Sequence, residues 1–306
     1  MKIGIVILNY NDSKTTVTLL EKVKNYRSID QIVVVDNNSS DDSFQILRKY
    51  QDDRLAIIKA EKNNGYGAGN NIGARYLASK GIDYIVISNP DIIFDEDDIQ
   101  KLCSSFKNEK VAIVAPTIKE SGGLNRGWKF KGAAYDSLTN INFFGRYFKE
   151  KMKYNKDYYK GIETVVDITS GCFFVIRRDV FEKIGYFDEN IFLYYEENVL
   201  AKKVQKIGMK IIVRNDVTII HNHSVTINKS LNKISKFKTL TRSQRYYQKN
   251  YNNAGFFGMF LLYITYVIAL GISYVILFIN KAINSIVYKY KKMKNRERGK
   301  KDENKI

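Results

Sequence analysis

Residues 85–94 read I-V-I-S-N-P-D-I-I-F, and the fold turns on how that stretch ends. A run of apolar, mostly β-branched residues stops abruptly at Ser88, Asn89, Pro90 and Asp91. Pro90 has no N–H to give to a central ladder, so a strand must end there and hand over to a loop. An acidic side chain at the carboxyl end of a buried strand is where open α/β sheets place ligand chemistry. Asn-Pro-Asp is also good turn chemistry, so the stretch alone reads first as an ordinary turn. Its neighbours have to decide.

Upstream, the chain alternates between two patterns. Residues 3–8 (I-G-I-V-I-L), 32–36 (I-V-V-V-D), 55–59 and 84–87 are short apolar runs of the kind that a sheet covers on both faces. Between them, residues 13–26 carry a helical pattern through Val17, Leu20 and Val23, and a second helix runs through Phe44, Ile46 and Leu47 with Ser40 or Asp41 as its cap. The loop N-N-G-Y-G-A-G-N-N precedes a short helix expected over 72–79. Strand-to-strand spacings of about 25 residues suit right-handed βαβ crossovers, so the expected class is α/β with a mostly parallel sheet.

Downstream, a helix is expected over 95–106 and a strand over 111–115. Residues 120–159, rich in Gly, Asn, Lys and aromatics, show no clean period and read as irregular. Regular structure resumes with strands at 165–167 and 172–176. Helices are expected over 178–184 and 191–207, stopped by Gly185 and Gly208. Short strands at 211–213 and 217–220 follow, the second running into His221-Asn222-His223.

The net charge of +18 calls for an acidic partner. From Lys281 onward ten Lys or Arg face three acids, so much of the charge belongs to the tail. No helix-turn-helix or RNA-recognition pattern accompanies it, which argues against nucleic acid. Residues 229–251 form a basic, Tyr-rich helical segment, and 255–279 then run without one charge, long enough to cross a hydrocarbon core. Both flanks of that run are positive. A hairpin bending near Gly271, or an in-plane pair of helices, would keep both on an anionic cytoplasmic leaflet. The two cysteines, Cys103 and Cys172, make no disulfide framework, and the apolar start lacks a small-residue cleavage site. These features place the catalytic portion on the cytoplasmic side.

The strand ends collect polar groups. Asn9 and Asp12 follow the first strand, Asp36 and Asn37 the second, Asn64 the third and Asp91 the fourth. Each alone is an ordinary cap or turn residue. Together at one crevice, amides and carboxylates without Lys or Arg suit a neutral base and a ribose, with diphosphate charge cancelled by a metal. Asp91 is the natural ligand for Mg2+ or Mn2+, which prefer carboxylate oxygen. The glycine loop fails the spacing of a dinucleotide fingerprint, because the third glycine position holds Asn70 or Ile72. A nicotinamide enzyme is therefore excluded. The loop's Gly65 and Asn71 join the candidate pocket.

In order, I-L-N-Y-N-D, V-V-V-D-N-N-S-S-D, N-N-G-Y-G-A-G-N-N-I-G and S-N-P-D resemble the successive motifs of family 2 glycosyltransferases, in particular the bacterial rhamnosyltransferase-like branch that builds surface polysaccharides. The likeness continues through the long run S-G-C-F-F to Y-Y-E-E-N (170–198) and into I-I-H-N-H-S (219–224). It implies a GT-A fold, a Rossmann-like mostly parallel central sheet with helices on both faces, and it implies roles. Asp36 would contact the nucleotide's base or ribose, with Asn9 and Asn64 in the same pocket. Asn89-Pro90-Asp91 stands where relatives carry an acid-x-acid motif, with Asn89 in place of the first acid. His221 would complete the metal site, with His223 as the fallback. Glu196-Glu197 lies where relatives carry Glu-Asp, so Glu197 resembles the general base for the acceptor hydroxyl. Adjacent carboxylates raise one another's pKa, which suits that role. The relatives' further acid, two residues on, is Val199 here.

The resulting expectation is an inverting transferase that moves a sugar, rhamnose first among those to test, from a nucleotide-diphosphate donor to a lipid-linked glycan acceptor. Residues 1–228 would form the catalytic domain, with a donor half at 1–115 and an acceptor half at 116–228. A basic helical linker at 229–254, apolar membrane-associated helices at 255–288 and a basic disordered tail at 289–306 would follow. Two alternatives stay open: a synthase that loads one sugar onto a polyprenyl phosphate, and a non-catalytic glycan- or membrane-binding module. No feature of the sequence sets an oligomeric state.

Overall fold

The computed structural model describes residues 1–141, 154–222 and 232–303. Its frame is one sheet in the order β3-β2-β1-β4-β9-β6-β10-β5, with β7 beside β6 and β8 beside β10. The first half is the parallel part: β1 (Ile3–Asn9) lies between β2 (Gln31–Asp36) and β4 (Tyr84–Ser88), and β3 (Leu55–Lys59) flanks β2. The second half is mixed. β9 (Phe173–Arg177) runs antiparallel between β4 and β6 (Val111–Glu120), while β10 (Lys210–His221) is parallel to β6. The short β5 (Ile92–Ile93) and β8 (Glu163–Val166) pair antiparallel with β10, and β7 (Gly123–Asn125) with β6.

Helices cover both faces because the central strands are apolar on both. On one face Ile5, Ile7, Val34 and Val86 meet α1 (Ser13–Val23), α2 (Ser43–Arg48) and α4 (Glu96–Ser104) through Leu20, Leu47 and Leu102. On the other, Val6, Val33, Val35 and Ile85 meet α3 (Tyr66–Ser79), α6 (Arg178–Lys183) and α7 (Glu196–Lys206) through Leu77, Phe181 and Leu200.

Several expected boundaries move, each for a local reason. Neither Ser40 nor Asp41 caps α2, which begins at Ser43. The Ser40 N–H is spent on Asn11 Oδ1 at 2.8 Å, and Asp41 Oδ1 accepts from the Ser43 N–H at 3.0 Å in a turn just before the helix. The glycine stretch is not a loop. α3 starts at Tyr66, six residues before the expected start at Ile72. β6 runs through Pro116 to Glu120, because Pro116 sits opposite Arg214 where β10 bulges and a ladder N–H is dispensable. For the same reason β10 is one strand with an irregularity between Arg214 and Thr218, rather than two. Residues 191–195 are not helical: Tyr194 and Tyr195 have φ of 69° and 67°, an arch that delays α7 to Glu196.

Residues 120–159 also contain α5 (Ala133–Asn140) and a 3-10 turn at Lys156–Tyr159 among those described. At the C-terminal end, α8 (Lys233–Asn250) is followed by α9 (Phe256–Glu303), which is continuous through Gly271. The expected hairpin at Gly271 is thus absent, and the helix runs on to Glu303 through the stretch from 289 that was expected to be disordered. A lone glycine costs a helix about 1 kcal/mol, too little to break one flanked by good helix formers and free of proline.

Candidate active site

The β4 exit is built as a bracket. The Asn89 N–H donates to the Cys172 carbonyl at 2.8 Å, and its Oδ1 lies 3.0 Å from the Tyr66 hydroxyl. That hydroxyl also donates to the Gly171 carbonyl at 2.6 Å. Tyr66 thereby ties the start of α3 to the Asn-Pro-Asp turn and to the turn before β9. It can stand there only because Gly65 precedes it. Gly65 has φ +100°, and a Cβ on it would sit 2.0 Å from the Phe192 carbonyl oxygen. The Tyr66 N–H takes that same carbonyl at 2.9 Å.

Three residues past Thr218, where pairing with β6 resumes after the bulge, β10 delivers His221 opposite Ile92, just after Asp91. Its Nε2 lies 3.3 Å from Asp91 Oδ1 and its Nδ1 lies 3.2 Å from Glu120 Oε1. Burial alone lowers the His221 pKa, but hydrogen bonds to Asp91, Cys172 and Glu120 outweigh it and push the value up to about 12. The imidazole thus holds a proton between acceptors on both sides, and the one on Nε2 would have to leave before that nitrogen could bind an ion. Donors spaced in this way suit a hard divalent cation, whose neighbouring ligands at about 2.1 Å lie roughly 3 Å apart. Glu120 on Nδ1 would fix the ring with Nε2 toward the ion. Among the described residues no group of three or more His, Cys, Asp or Glu is arranged to hold a metal. The pair therefore fits an ion that takes its other ligands from water and phosphate oxygens, as Mg2+ and Mn2+ do.

Glu196 and Glu197 open α7 directly after the left-handed Tyr195. Glu196 is buried, and burial with the neighbouring Glu197 charge raises its pKa well above the carboxylate range. Glu197 is half-buried, and burial raises its pKa too, against its own backbone N–H and the positive charge of Lys131. Both carboxylates act on the Tyr66 hydroxyl, whose pKa burial chiefly raises. A Cβ on Gly171 would lie 4.0 Å from Glu197 Cβ. The Glu pair and the Asp91–His221 pair therefore flank the same Tyr66–Gly171–Cys172 corner. Val199, where the family resemblance implied a further acid, is 0% exposed and packs with Ile191 and Tyr247, a position that α8 has turned into core.

The strand-end polar residues divide. Asn9 and Asp36 are fully buried and face one another: Asn9 Nδ2 donates to Asp36 Oδ1 at 2.8 Å, and Ser39 donates to Asp36 through Oγ at 2.6 Å and N–H at 3.0 Å. Asn37 donates to Asn63 Oδ1 and the Gly65 carbonyl, and Asp12 accepts from the Thr15 hydroxyl at the start of α1. Asn64 is exposed. Asn71 is spent internally, its amide donating to the Phe187 carbonyl and Glu189 and its oxygen accepting the Phe187 N–H. It holds the 187–189 segment rather than the crevice. His223 lies outside the described residues.

Tyr66, Glu120, Cys172 and Lys131 were not foreseen as part of this site. Glu120 would have needed β6 to be read through its proline. Tyr66 was visible only as a letter within a glycine loop.

The sequence model of the family described as "Glycosyl transferase family 2" matches residues 4–185. Agl10 of Haloferax volcanii, a low-salt glycan biosynthesis hexosyltransferase, is 28% identical over 228 residues, 73% of this chain and 68% of its own length. The dTDP-rhamnosyl transferase RfbF of Shigella flexneri is 25% identical over 218 residues, 71% of this chain and 67% of its own. Among solved structures, GalNAc-T7 with UDP, GalNAc and Mn2+ superposes with a TM-score of 0.56 at 15% identity, over 72% of this chain and 44% of that one. TarS 1-349 of S. aureus with UDP-GlcNAc gives 0.55 at 15% identity, over 80% and 65%. The two structures show the fold, and the family match spans more than half of the chain, from β1 past the bracket at Asn89 to the end of α6. The chain therefore belongs to glycosyltransferase family 2 and has the GT-A fold.

Proposed function

We propose that this glycosyltransferase inverts the anomeric centre of a nucleotide-diphosphate sugar and moves the sugar to a glycan acceptor carried by a lipid at the cytoplasmic face of the membrane. The observation that carries the reading is the raised-pKa pair Glu196–Glu197 held at the same corner as Asp91 and His221. A carboxylate lifted toward neutral pH is a competent base for a sugar hydroxyl. Glu197, the more exposed of the two, takes the acceptor proton, while buried Glu196 holds the proton that the pair shares. Asp91 and His221 would hold Mg2+ or Mn2+, which when bound offsets the charge developing on the leaving diphosphate. Tyr66 fixes the turn that presents Asp91. Asn37 and Asn64 flank the donor's nucleotide, with the buried Asn9–Asp36 pair bracing them. The names of Agl10 and RfbF support a hexosyl donor, dTDP-rhamnose among the first to try.

The membrane part rests on α9. Its segment Phe256–Ser285 is long and apolar enough to cross a membrane, and only 17% of the most apolar 18-residue window in it is buried against the rest of the chain. Phe257, Val267 and Val275 are exposed on it. Basic residues on both flanks suit an anionic leaflet. The same apolar helix also favours the second reading, a polyprenyl-phosphate sugar synthase.

Nucleotide release and product formation should be followed with a panel of nucleotide sugars, with Mn2+, Mg2+ or chelator. Metal-dependent turnover of one donor is the expected result, and Asp91→Ala should lose metal-dependent donor binding. No turnover of any donor, with glycan or vesicle binding retained, would favour a binding module instead. Transfer to bare polyprenyl phosphate but not to a glycan would favour the synthase.

A further inference from the structure

α8 turns a row of cations toward α9. The Arg245 guanidinium lies 4.4 Å from the centre of the Tyr266 ring. Two turns earlier on the same face, Lys238 Nζ lies 3.3 Å from the Tyr274 hydroxyl and 5.8 Å from its ring centre. The seam between the helices is thus lined by cations from one side and tyrosines from the other. It opens onto the apolar surface of α9, where Tyr263, Val267 and Val275 are exposed.

Arg245 is the informative residue. No carboxylate pairs with it among the described residues, and its Nη1 is buried without a hydrogen-bond partner. The tyrosine ring lies against the guanidinium and supplies no in-plane acceptor, so the contact leaves Nη1 unsatisfied. A guanidinium stays charged at every physiological pH, so a half-buried one with no carboxylate beside it among the described residues is suited to an anion. Planar bidentate donors match phosphate oxygens best. A phosphate that sits at the root of an apolar helix belongs to a lipid. The preceding residue ties the seam to the active site, since Gln244 Nε2 donates to the Tyr195 hydroxyl at 3.3 Å, immediately before Glu196.

We propose that the α8–α9 seam at Arg245 and Lys238 binds the phosphate or diphosphate of a lipid-linked acceptor, and so delivers the acceptor's glycan to the Glu196–Glu197 corner. The site rests on the transferase reading above, and binding measured apart from turnover separates the two. The full chain in detergent micelles is titrated calorimetrically with farnesyl diphosphate, farnesol and inorganic diphosphate. The wild type should prefer farnesyl diphosphate to either of the others, and R245Q should weaken that affinity about tenfold, with partial recovery in R245K. If R245Q lowers the melting temperature, K238Q at an exposed position carries the same comparison. Equal affinity for inorganic diphosphate would reduce the seam to a free-anion site. Unchanged farnesyl diphosphate affinity in folded R245Q would remove the site, as would binding to phosphatidylglycerol vesicles that farnesyl diphosphate fails to compete. Arg245-dependent binding without turnover of any nucleotide sugar would leave the site standing and sink the transferase reading alone.

Discussion

At the residue scale the proposed chemistry depends on two carboxylates whose ionisation burial disfavours. Glu197→Gln should lower transfer by about a thousandfold while donor affinity stays within roughly threefold, because a general base acts on the acceptor side. Loss of donor binding, read by nucleotide titration, would assign Glu197 elsewhere. Protonation of the base gives the rate an acidic limb. Since the Glu197 pKa is raised, that limb lies above the ordinary carboxylate value of 4.5. Lys131 favours the ionised form, so Lys131→Met should move the limb to higher pH. A shift to lower pH in the kcat/KM profile would contradict the assignment. The Glu196–Glu197 pair is legible in the sequence as a candidate. Which of the pair is buried is not, because burial here is set by an arch of left-handed tyrosines.

At the element scale, α8 packs into the catalytic domain through polar side chains. Gln248 Nε2 donates to Asp136 Oδ2 at 2.7 Å and to the Lys131 carbonyl at 3.0 Å, and Ser243 donates to the Leu193 carbonyl at 2.8 Å. Tyr246 and Tyr251 both donate to Asp188, at 2.9 and 2.6 Å. These bonds brace the 188–195 segment that leads into Glu196. Burial raises the Asp136 pKa from 3.8 to about 6, against hydrogen bonds from Gln248, Tyr195 and Gln244. The folded state therefore holds that proton more tightly than the unfolded chain. The penalty for its charge is complete above pH 6 and gone below the unfolded value, amounting to at most about 3 kcal/mol. Asp136→Asn should accordingly be more stable than wild type at pH 8 by up to that amount, with the gap closing toward pH 4. A gap in urea midpoint that ignores pH would refute the raised pKa. The basic, Tyr-rich composition of α8 marked a helix near an anionic surface, but nothing in its pattern marked a brace.

At the scale of the whole molecule, α9 has two kinds of face. Leu262 is 0% exposed, and a Cβ on Gly258 would approach Ala133 Cβ to 3.0 Å, so one stripe is committed to α5. Val267 is 48% exposed on the same helix. Val267→Asp should therefore release the protein from anionic vesicles in flotation while leaving the melting temperature within a few degrees. Leu262→Asp should destabilise the fold by roughly 3 kcal/mol or more through a buried unpaired charge. If both variants float like wild type, α9 is not the membrane contact. Extracellular protease access to a C-terminal tag would overturn the cytoplasmic placement of the tail.

The alternation of strand and helix, the strand end at Asn89-Pro90-Asp91 and the order of polar motifs are all written in local periodicity and turn chemistry, and so could be read from the residues alone. The sequence also carried the family. Only the tertiary structure decided that Asn71 and the Asn9–Asp36 pair are spent within the fold, that Glu120 stands behind His221, and that Tyr66 joins three loops at one corner. The physical reason is the same in each case. A hydrogen-bond partner far away in the chain leaves no local trace, and Pro116 or a glycine run signals a break to any local reading. A bulge opposite the proline, and the close approach of α3 to the sheet and to Phe192, turn those breaks into continuous structure.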